Sequence, residues 1–414
     1  MTPAGRPGRM VVKGSATAPD RARLRSSIAL GGLAVLAVAG QLVLNQAAVT
    51  IAHSLGEVRG LFTVGRDFWP IWYYNRYIIS GQGSSHVYGL GRANPWPPPH
   101  ELAFAPLSYL PWEVVHLLST VATAAVILLA VLLWSKKEEL FALRSGLWPM
   151  LLTAPVFAVI WIDQLPAALG LLALSLAIWA QRRERWWLVG VAGAVSMIRV
   201  ANAVPVLLIL LLSFWGKPKQ LGIAIGSALL AMAPLATISF IWDPHWITDY
   251  INGIAAYPFN GTAQVASHSF GYSGLGMLAL VGTLVGVFLT RRGLGGRLDP
   301  GRAALAIGIT VVVAPLGGLY CGIFALPALI RLGMRPGFWM VPWIAAIGPW
   351  AIVLGLSPFL LGHDPGLALI YVSFIDFGLL LLAYPLLRMP PEVEASAIDI
   401  EPGPSTSRYS PAIT

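Results

Sequence analysis

Residues 111–134 read PWEVVHLLSTVATAAVILLAVLLW. The stretch is apolar over roughly the 20 residues that a helix needs to cross a hydrocarbon core about 30 Å thick. Comparable stretches recur along the whole chain. Lipid offers the backbone no hydrogen bonds, so each stretch must form a helix, and all are too long and too uniformly apolar for barrel strands. The sequence therefore predicts an all-α polytopic membrane protein.

The composition of the 414-residue chain points the same way, with 57% hydrophobic and 11% charged residues and a mean hydropathy of +0.72. A soluble domain has about a quarter charged residues, because its surface faces water. The single cysteine, Cys321, lies in an apolar segment. The chain therefore has neither a disulfide framework nor a cysteine metal site.

We predict one transmembrane domain of about twelve helices, 27–388, between a disordered cytoplasmic N-terminus (1–26) and a disordered cytoplasmic tail (389–414). The first span has a basic flank like that of a signal peptide, but it is too long for the apolar core of one and is predicted to be retained. The predicted spans are 27–52, 111–134, 147–162, 164–181, 186–198, 201–215, 220–242, 272–290, 302–316, 317–332, 338–357 and 366–388.

The distribution of basic residues predicts the orientation, because cytoplasmic loops collect Lys and Arg. With the N-terminus inside, 22 of the 27 basic residues fall on the cytoplasmic side. The net charge of +9 is thus a topology signal and does not indicate a nucleic-acid partner. The basic residues on the outer side are Arg59, Arg66, Arg76, Arg92 and Arg199.

Two predicted outer segments, 53–110 and 243–271, are much longer than the other outer connections, and long loops without a function are uncommon. In the first segment we expect a short helix from Phe68 to Ser80, whose aromatic residues suit the headgroup level of a membrane. A Gly-rich turn and the stretch NPWPPPHE (94–101) follow, and its prolines predict a stiff extended connector.

Few polar residues lie on the outer side, and three of them have both a chemical and a structural interpretation. Asp67 fits a general base at the mouth of a membrane cavity, or the N-cap of the helix that follows it. Asp163, in WIDQLP, fits a second acid or a binding residue, or a cap in a tight helical hairpin. Arg199, in SMIRVANAVP, fits a cation that holds a phosphate, or an arginine whose charge reaches back to the interface.

Asp376 lies within the predicted last span, where a carboxylate indicates a polar lining or a proton path, unless it only pairs with a nearby hydroxyl. The histidines on the outer side show no compact metal-site spacing, and each fits sugar or phosphate binding or a structural role. No phosphate-binding loop or dinucleotide fingerprint occurs in a suitable context, which argues against ATP-driven chemistry. The histidines on the outer side are His86, His100, His245, His268 and His363.

The first outer segment, GRDFWPIWYYNRYIISGQGSSHVYGL (65–90) followed by NPWPPPHELAFAPLSYLPW (94–112), resembles glycosyltransferase family 87. Members of this family are GT-C enzymes that use polyprenyl-phosphate sugars and include mycobacterial mannosyltransferases. The similar elements are Asp67-Phe68, Tyr73-Tyr74, Gly83 to Tyr88, Pro97-Pro98, and Pro106-Leu107 to Pro111.

The resemblance covers about residues 28–388 and continues at three later places. Asp163-Gln164-Leu165-Pro166 is similar to the family's G-Q-x-N turn, with Asp and Pro in place of Gly and Asn. Arg199 with Pro205 is similar to a Lys-x-x-P element, and Ala314-Pro315 with Tyr320 to a late SP-x-x-x-x-Y pattern. His268-Ser269 stands where the family often has Asn-Ser.

The resemblance implies a GT-C type bundle in a bacterial cell membrane, with its active site on the extracytoplasmic side. It implies a polyprenyl-phosphate-sugar donor, a lipid or glycan acceptor, and neither a cofactor nor a metal. Asp67 would act as general base, and Arg199 and Arg66 would bind the donor phosphate. The residues that would contact sugar or lipid are Tyr73, Tyr74, Trp96, His100, Asp163, Gln164 and His268.

Two other functions stay open at this point. A secondary transporter or lipid flippase fits the many spans, Asp376 and the Pro-interrupted helices, although the chain lacks the internal symmetry typical of transporters. A non-catalytic subunit with the GT-C fold fits the altered turn at Asp163 and Pro166, because fold alone does not fix function.

Overall fold

A computed structural model of the protein describes residues 68–85, 97–134, 147–255, 298–312, 319–335, 337–360, 375–376 and 378–389, and isolated positions at 32, 36, 39–41, 43, 47, 281 and 285. The described residues are mostly helical and include no strand. The all-α class predicted from the sequence is therefore confirmed for this part of the chain.

The helices are numbered along the chain, and four 3-10 segments accompany them. The α-helices are α1 (Trp69–Ile79), α2 (Pro98–Phe104), α3 (Trp112–Trp134), α4 (Leu147–Leu151), α5 (Ala154–Trp161), α6 (Leu165–Arg182), α7 (Trp186–Ser196), α8 (Val200–Ser213), α9 (Pro218–Trp242), α10 (Trp246–Ala255), α11 (Pro300–Val312), α12 (Leu326–Gly333) and α13 (Val341–Leu360). The 3-10 segments are Ala105–Tyr109, Met197–Arg199, Leu319–Ala325 and Tyr384–Leu387.

Among the described residues, three helices, α3, α6 and α9, are long and apolar enough to cross a membrane, with 23, 18 and 25 residues. Their bounds match the predicted spans 111–134, 164–181 and 220–242 closely. Helix α9 exposes large apolar side chains: Leu230 is 76% exposed and Ile241 78% exposed. An apolar surface of this extent is stable against lipid and unfavourable in water.

Helices α3 and α6 run in the same direction, because Trp112 clusters with Leu165 at their starts and Trp134 contacts Ser175 further along, so the bundle has two ends. We call the end with the first residues of α3 and α6 the aromatic end, and the end with their last residues the arginine end. At the arginine end the Arg331 guanidinium of α12 lies 5.9 Å from the Trp134 ring centroid of α3. There Trp186, at the start of α7, also lies 5.2 Å from Phe214, just after α8. Helices α7 and α8 therefore form an antiparallel hairpin.

Helices α7 and α9 pack closely because small residues face each other. A Cβ atom at Gly190 would collide with the Ala224 carbonyl, so only glycine permits this approach. The Ser227 hydroxyl donates to the Trp187 carbonyl at 2.8 Å. Small residues and interhelical hydrogen bonds are the usual means by which helices associate within a membrane, where no hydrophobic force drives them together.

The predicted span 147–162 is wrong as a single helix, since the structure divides it into α4 and α5. The break occurs at Thr153, whose backbone is extended (φ −71°, ψ 146°), and Pro155 occupies the first turn of α5. Proline lacks an N–H and fits the start of a helix better than its interior. The predicted span 317–332 is likewise a 3-10 segment, Leu319–Ala325, followed by α12 with Pro327 in its first turn.

The predicted helix from Phe68 to Ser80 is confirmed by α1, but the extended connector is wrong from Pro98 onward. Of the described residues of this stretch, 97–101, Pro97 alone has the expected extended backbone (φ −72°, ψ 139°), and Pro98 begins α2. The φ of proline suits the first helical position as well as an extended chain, and no N–H is required there. The prolines therefore end an extended segment at Pro97 and begin helix α2 at Pro98.

Candidate active site

Helix α1 lies over the aromatic end of the bundle and covers the first residues of α3 and α6. Phe68, just before α1, is fully buried and belongs to one apolar cluster with Trp72, Trp112 and Leu165. The Trp72 indole donates from Nε1 to the Leu110 carbonyl at 3.1 Å. These contacts fix the orientation of the helix that follows Asp67 in the chain.

Helix α1 begins at Trp69, and its N-cap position is Phe68, which makes no side-chain cap hydrogen bond. The sequence placed this start one residue earlier, with Asp67 as the cap. Asp67 and Arg66 themselves lie outside the described residues, as do Trp96 and His268. The assignments of Asp67 as base, Arg66 as phosphate ligand, and Trp96 and His268 as sugar ligands stay predictions.

Tyr73 presents its hydroxyl at the partly exposed side of α1. Its ring stacks on Trp69 with centroids 4.5 Å apart and planes 13° apart. Its hydroxyl lies 2.5 Å from that of Tyr77, one turn further along the helix. Tyr73 and Tyr77 thus offer two neighbouring hydroxyls beside aromatic rings. Sugar binding uses this combination of hydrogen-bonding groups and an apolar face.

Tyr74 is buried on another side of α1, in a cluster with Ile78. Trp242, the last residue of α9, and Tyr250 of α10 pack against this cluster. Burial, together with the nearby Glu101 carboxylate, raises the pKa of Tyr74 to about 12. Tyr74 therefore stays neutral at all physiological pH values, and its position makes it a packing residue between the two long predicted outer segments.

These two segments are joined by hydrogen bonds at the end of α9. Ser84 donates to Asp243 Oδ2 from its backbone N–H at 2.7 Å and from its hydroxyl at 2.8 Å. The same hydroxyl lies 2.5 Å from Asp249 Oδ2, and the Trp242 indole donates to the Gln82 carbonyl at 2.8 Å. We call this set of contacts the Ser84 joint. It brings together segments about 160 residues apart in the chain.

The charge of Asp243 is supported by the groups around it. Partial burial alone would raise the pKa of Asp243, but hydrogen bonds from the N–H of His245 and from the N–H and hydroxyl of Ser84 outweigh it and hold the pKa below its ordinary value. The His245 N–H donates to Asp243 Oδ1 at 2.8 Å. Asp243 is therefore ionised at neutral pH and accepts donors from both sides of the Ser84 joint.

His100 lies at the start of α2, which is fixed on α1 by Asn75. The Asn75 amide donates to the Ile71 carbonyl and to the Glu101 carbonyl, both at 2.9 Å. Burial lowers the pKa of His100 to about 4, although the nearby Ala194 carbonyl acts in the opposite direction. His100 is therefore neutral at pH 7 and lies beside the end of α7.

Arg199 closes the turn that follows α7. A Cβ atom at Gly193 in α7 would meet the Leu207 side chain of α8 at 3.0 Å, so the chain must reverse between them, at Met197–Arg199. Because Ala194 lies beside His100, this turn belongs to the aromatic end. The predicted outer position of Arg199 thus shares one end of the bundle with α1, α2 and the Ser84 joint.

Asp163 forms the polar centre beneath α1. It occupies a left-handed backbone position (φ 60°) between α5 and α6, a conformation that Asp and Asn adopt more readily than other side chains. The side chain is fully buried, and its carboxylate accepts from Ser119 through a short hydrogen bond and contacts His116 Nδ1 at 3.3 Å. Thr123 Oγ1 lies 3.4 Å away on the other carboxylate oxygen.

The interpretation of Asp163 as a cap in a helical hairpin is wrong for its side chain, and the neighbouring Gln164 side chain does not cap the helix either. Gln164 occupies the N-cap position of α6 without a side-chain cap hydrogen bond, and the Asp163 carboxylate points to α3 instead. A buried carboxylate needs donors to remain stable, and α3 supplies them. Both residues are buried within the turn.

His116 is the residue of this cluster that sequence reasoning missed, because it lies within an apolar span. It is fully buried, Trp112 packs on its ring at 5.5 Å, and its Nε2 has no hydrogen-bond partner among the described residues. The signal was present in the chain: His116, Ser119, Thr120 and Thr123 follow the i, i+3, i+4, i+7 spacing of one helix face. Such a polar stripe within a span marks a functional face.

An imidazole that is oriented through Nδ1 by a carboxylate, with Nε2 available, can accept or donate one proton or one hydrogen bond. The described residues contain no group of three metal-ligating side chains. Ser119, His116 and Asp163 form a hydrogen-bonded set that is suited to moving a proton. Of the predicted site residues, the structure places Tyr73, Tyr74, His100, Asp163, Gln164 and the backbone of Arg199 at the aromatic end.

Comparison with protein-family models, with curated proteins and with solved structures finds no match to this chain. The resemblance to glycosyltransferase family 87 accordingly stays a prediction from the sequence motifs.

Proposed function

We propose that the protein is an integral membrane glycosyltransferase that moves a sugar, mannose or another hexose or pentose, from a polyprenyl-phosphate donor to a lipid or glycan acceptor. The proposal includes a GT-C type bundle of about twelve spans in a bacterial cell membrane, with the reaction on the extracytoplasmic side. The helices α3, α6 and α9, which are suited to a membrane, support the setting.

One observation carries the proposal: the helix that starts just after Asp67 covers a buried polar cluster. Phe68 and Trp72 pack on the first residues of α3 and α6, and the same two helices hold His116 and Asp163 at or next to their starts. A membrane protein that only needed stability would fill this position with apolar side chains, because each buried polar group costs free energy unless it is paired.

The reaction that follows from this arrangement is a single displacement. Asp67 removes the proton from the acceptor hydroxyl, whose oxygen attacks the anomeric carbon as polyprenyl phosphate leaves with the bonding electron pair. The configuration at that carbon inverts. Arg199 stabilises the charge that grows on the leaving phosphate. A donor carried by the membrane needs no nucleotide-binding domain.

The aromatic and polar residues of the aromatic end take supporting roles in the proposal. Tyr73 and Tyr77 offer hydroxyls to a sugar, while Tyr74 holds α1 against the second outer segment. His100 is neutral at pH 7 and therefore suits a hydrogen bond to a sugar hydroxyl.

The test is transfer of label from polyprenyl-phosphate-mannose to membrane lipids by the purified protein and by the Asp67→Asn variant. We expect the variant to lose about 100-fold or more in rate while donor binding persists, because amide cannot take the proton. Asp399→Asn, the same chemical change in the C-terminal tail, is the matched control and should transfer normally. Equal rates in all three proteins would remove Asp67 from the role of base.

A transporter or flippase is a second candidate, because of a specific observation at Asp376. This carboxylate is buried, its Oδ1 has no hydrogen-bond partner in the described part of the chain, and it lies against Gly322. An intramembrane carboxylate of this kind suits a proton path. Asp376→Asn should abolish proton-coupled uptake into vesicles if the protein transports, and should leave sugar transfer in place if it is an enzyme.

A further inference from the structure

A cavity of about 320 Å³ opens at the arginine end, opposite the candidate active site. Four helices meet there: the last residues of α3, α6 and α12 and the first residue of α11. The lining residues are Leu133, Trp134, Ser175, Ile178, Trp179, Arg182, Arg183, Pro300 and Arg331. The size corresponds to the lower range of ligand pockets, which is sufficient for a small charged group.

Three of the nine lining residues are arginines, and none is acidic. Arg182 and Arg183 come from the end of α6, and Arg331 comes from the last turn of α12. The planar guanidinium group offers two parallel N–H donors to the oxygens of a phosphate. A cavity with three such groups and no carboxylate among its described lining residues favours an anion.

Two of the three arginines lie along tryptophan rings, which reduces their freedom. The Arg183 guanidinium lies 4.1 Å from the Trp179 ring centroid, and that of Arg331 lies 5.9 Å from Trp134. Trp134 is itself fixed, because its indole donates to the Ser175 hydroxyl at 2.8 Å. Pre-oriented donors lose less entropy when a ligand binds.

The wall of the cavity is also partly apolar. Leu133 is 36% exposed, and Ile178 lies deeper. The basic-residue distribution predicts that this end faces the cytoplasm, where tryptophan and arginine residues meet the lipid headgroups. Basic pockets between helices on that side bind anionic headgroups.

We propose that this cavity binds a phosphate group, with the headgroup of an anionic phospholipid as its source. The site is separate from the proposed transfer reaction, because it lies at the other end of the bundle and uses none of the residues proposed for that reaction. The three arginines bind the phosphate oxygens, and Leu133 contacts the first part of the acyl chains.

The experiment uses the purified full chain in a neutral detergent, with phosphatidylglycerol or phosphatidylcholine added, and counts bound lipid by native mass spectrometry. The variants are Arg331→Gln and Arg183→Gln. Arg388→Gln is the matched control, since Arg388 lies at the same end over the Tyr384 ring at 5.3 Å but does not line the cavity. A second arm adds inorganic phosphate as a competitor.

We expect tight retention of phosphatidylglycerol but not of phosphatidylcholine, and about a fivefold loss of affinity in each cavity variant with little change in the control. Failure of inorganic phosphate to compete would assign the source to the lipid, and competition would assign the site to phosphate itself. Equal retention by the cavity variants and the control, or of both lipids, would overturn the proposal. Arg183 is exposed, so Arg183→Gln stays informative if Arg331→Gln does not fold.

Discussion

At the residue scale, the cluster around Asp163 is the central feature of the candidate active site. Asp163 combines an uncommon backbone conformation with a fully buried carboxylate, and its donors all come from α3. The position therefore requires both a carboxylate side chain and a residue that tolerates a left-handed backbone. The pairing also leaves His116 Nε2 as a buried nitrogen without a partner among the described residues.

Replacing Asp163→Asn should destabilise the folded protein by roughly 2 kcal/mol, because the amide keeps the left-handed backbone but replaces one of the carboxyl oxygens that accept from Ser119 and contact His116. The measurement is the thermal unfolding midpoint in detergent. Ser213→Ala is the control, since the buried Ser213 hydroxyl donates to the Leu210 carbonyl of its own helix and lies outside the Asp163 cluster. An equal shift in both variants would mean that the carboxylate has no special role.

His100 predicts a pH dependence of stability. The unfolded chain binds a proton at this histidine near the ordinary pKa of 6.5, whereas burial keeps the folded protein unprotonated down to a pKa of about 4. The unfolded state therefore binds more protons between these values, and stability falls as the pH drops through this window. The loss is of the order of 3 kcal/mol at most. Unfolding midpoints from pH 7 to 4 check it, and His100→Gln should flatten the curve.

At the element scale, short helices decide the shape of the aromatic end. Helix α1 covers the bundle, and α2 is fixed to it through Asn75. The Ser84 joint then connects this part to the end of α9. The contacts reach only the ends of the helices suited to a membrane, at Trp112 of α3, Leu165 of α6 and Trp242 of α9, so this part of the predicted outer segments lies on one end of the bundle.

The Ser84→Ala variant should loosen the connection between the two outer segments, because the hydroxyl contacts with Asp243 and Asp249 are lost while the backbone bond stays. The expected cost is about 1 kcal/mol. Hydrogen exchange of the residues around Gln82 and Trp242 measures it. The Ser80→Ala variant is the control, since that hydroxyl donates only to the Tyr77 carbonyl in its own segment.

The same joint predicts an effect of acid. The pKa of Asp243 is lower in the folded protein than in the unfolded chain, so its contribution is fully present above the ordinary pKa near 4 and is lost as the pH falls through the folded-state value. Exchange around Trp242 should therefore rise below about pH 4 beyond its intrinsic rate. The Asp243→Asn variant should lack this increase.

At the scale of the whole molecule, the two ends of the bundle form two different chemical environments. The aromatic end holds tyrosines, tryptophans and the Asp163 cluster, whereas the arginine end holds the cavity with three arginines. The predicted orientation assigns the first to the outside and the second to the cytoplasm. This assignment is testable without any knowledge of the substrate.

A membrane-impermeant maleimide should label Gln82→Cys in intact cells and should not label Glu184→Cys until the membrane is opened. Both variants are made in a Cys321→Ala background, because the native thiol is buried and is the only cysteine in the chain. Gln82 belongs to the aromatic end and Glu184 follows Arg183 at the other end. The reverse pattern would invert the predicted topology and move the proposed active site to the cytoplasm.

The sequence by itself determined the helical class, the positions of α3, α6 and α9, and the short helix after Asp67. Each of these follows from local properties: a run of apolar residues of sufficient length, or a cluster of aromatic residues between turn signals. The start of α5 near Pro155 and the start of α2 at Pro98 were not predicted, because proline fits the end of one element and the first turn of a helix equally well.

Only the tertiary structure decided which side chains meet. Asp163 lies 47 residues from His116, and Ser84 lies 159 residues from Asp243. Periodicity in a sequence indicates which face of a helix is apolar or polar, but it carries no information on which helix lies opposite. Which helix lies opposite depends on the packing of all the helices together. This packing places His116, which lies within an apolar span, against the buried carboxylate of Asp163.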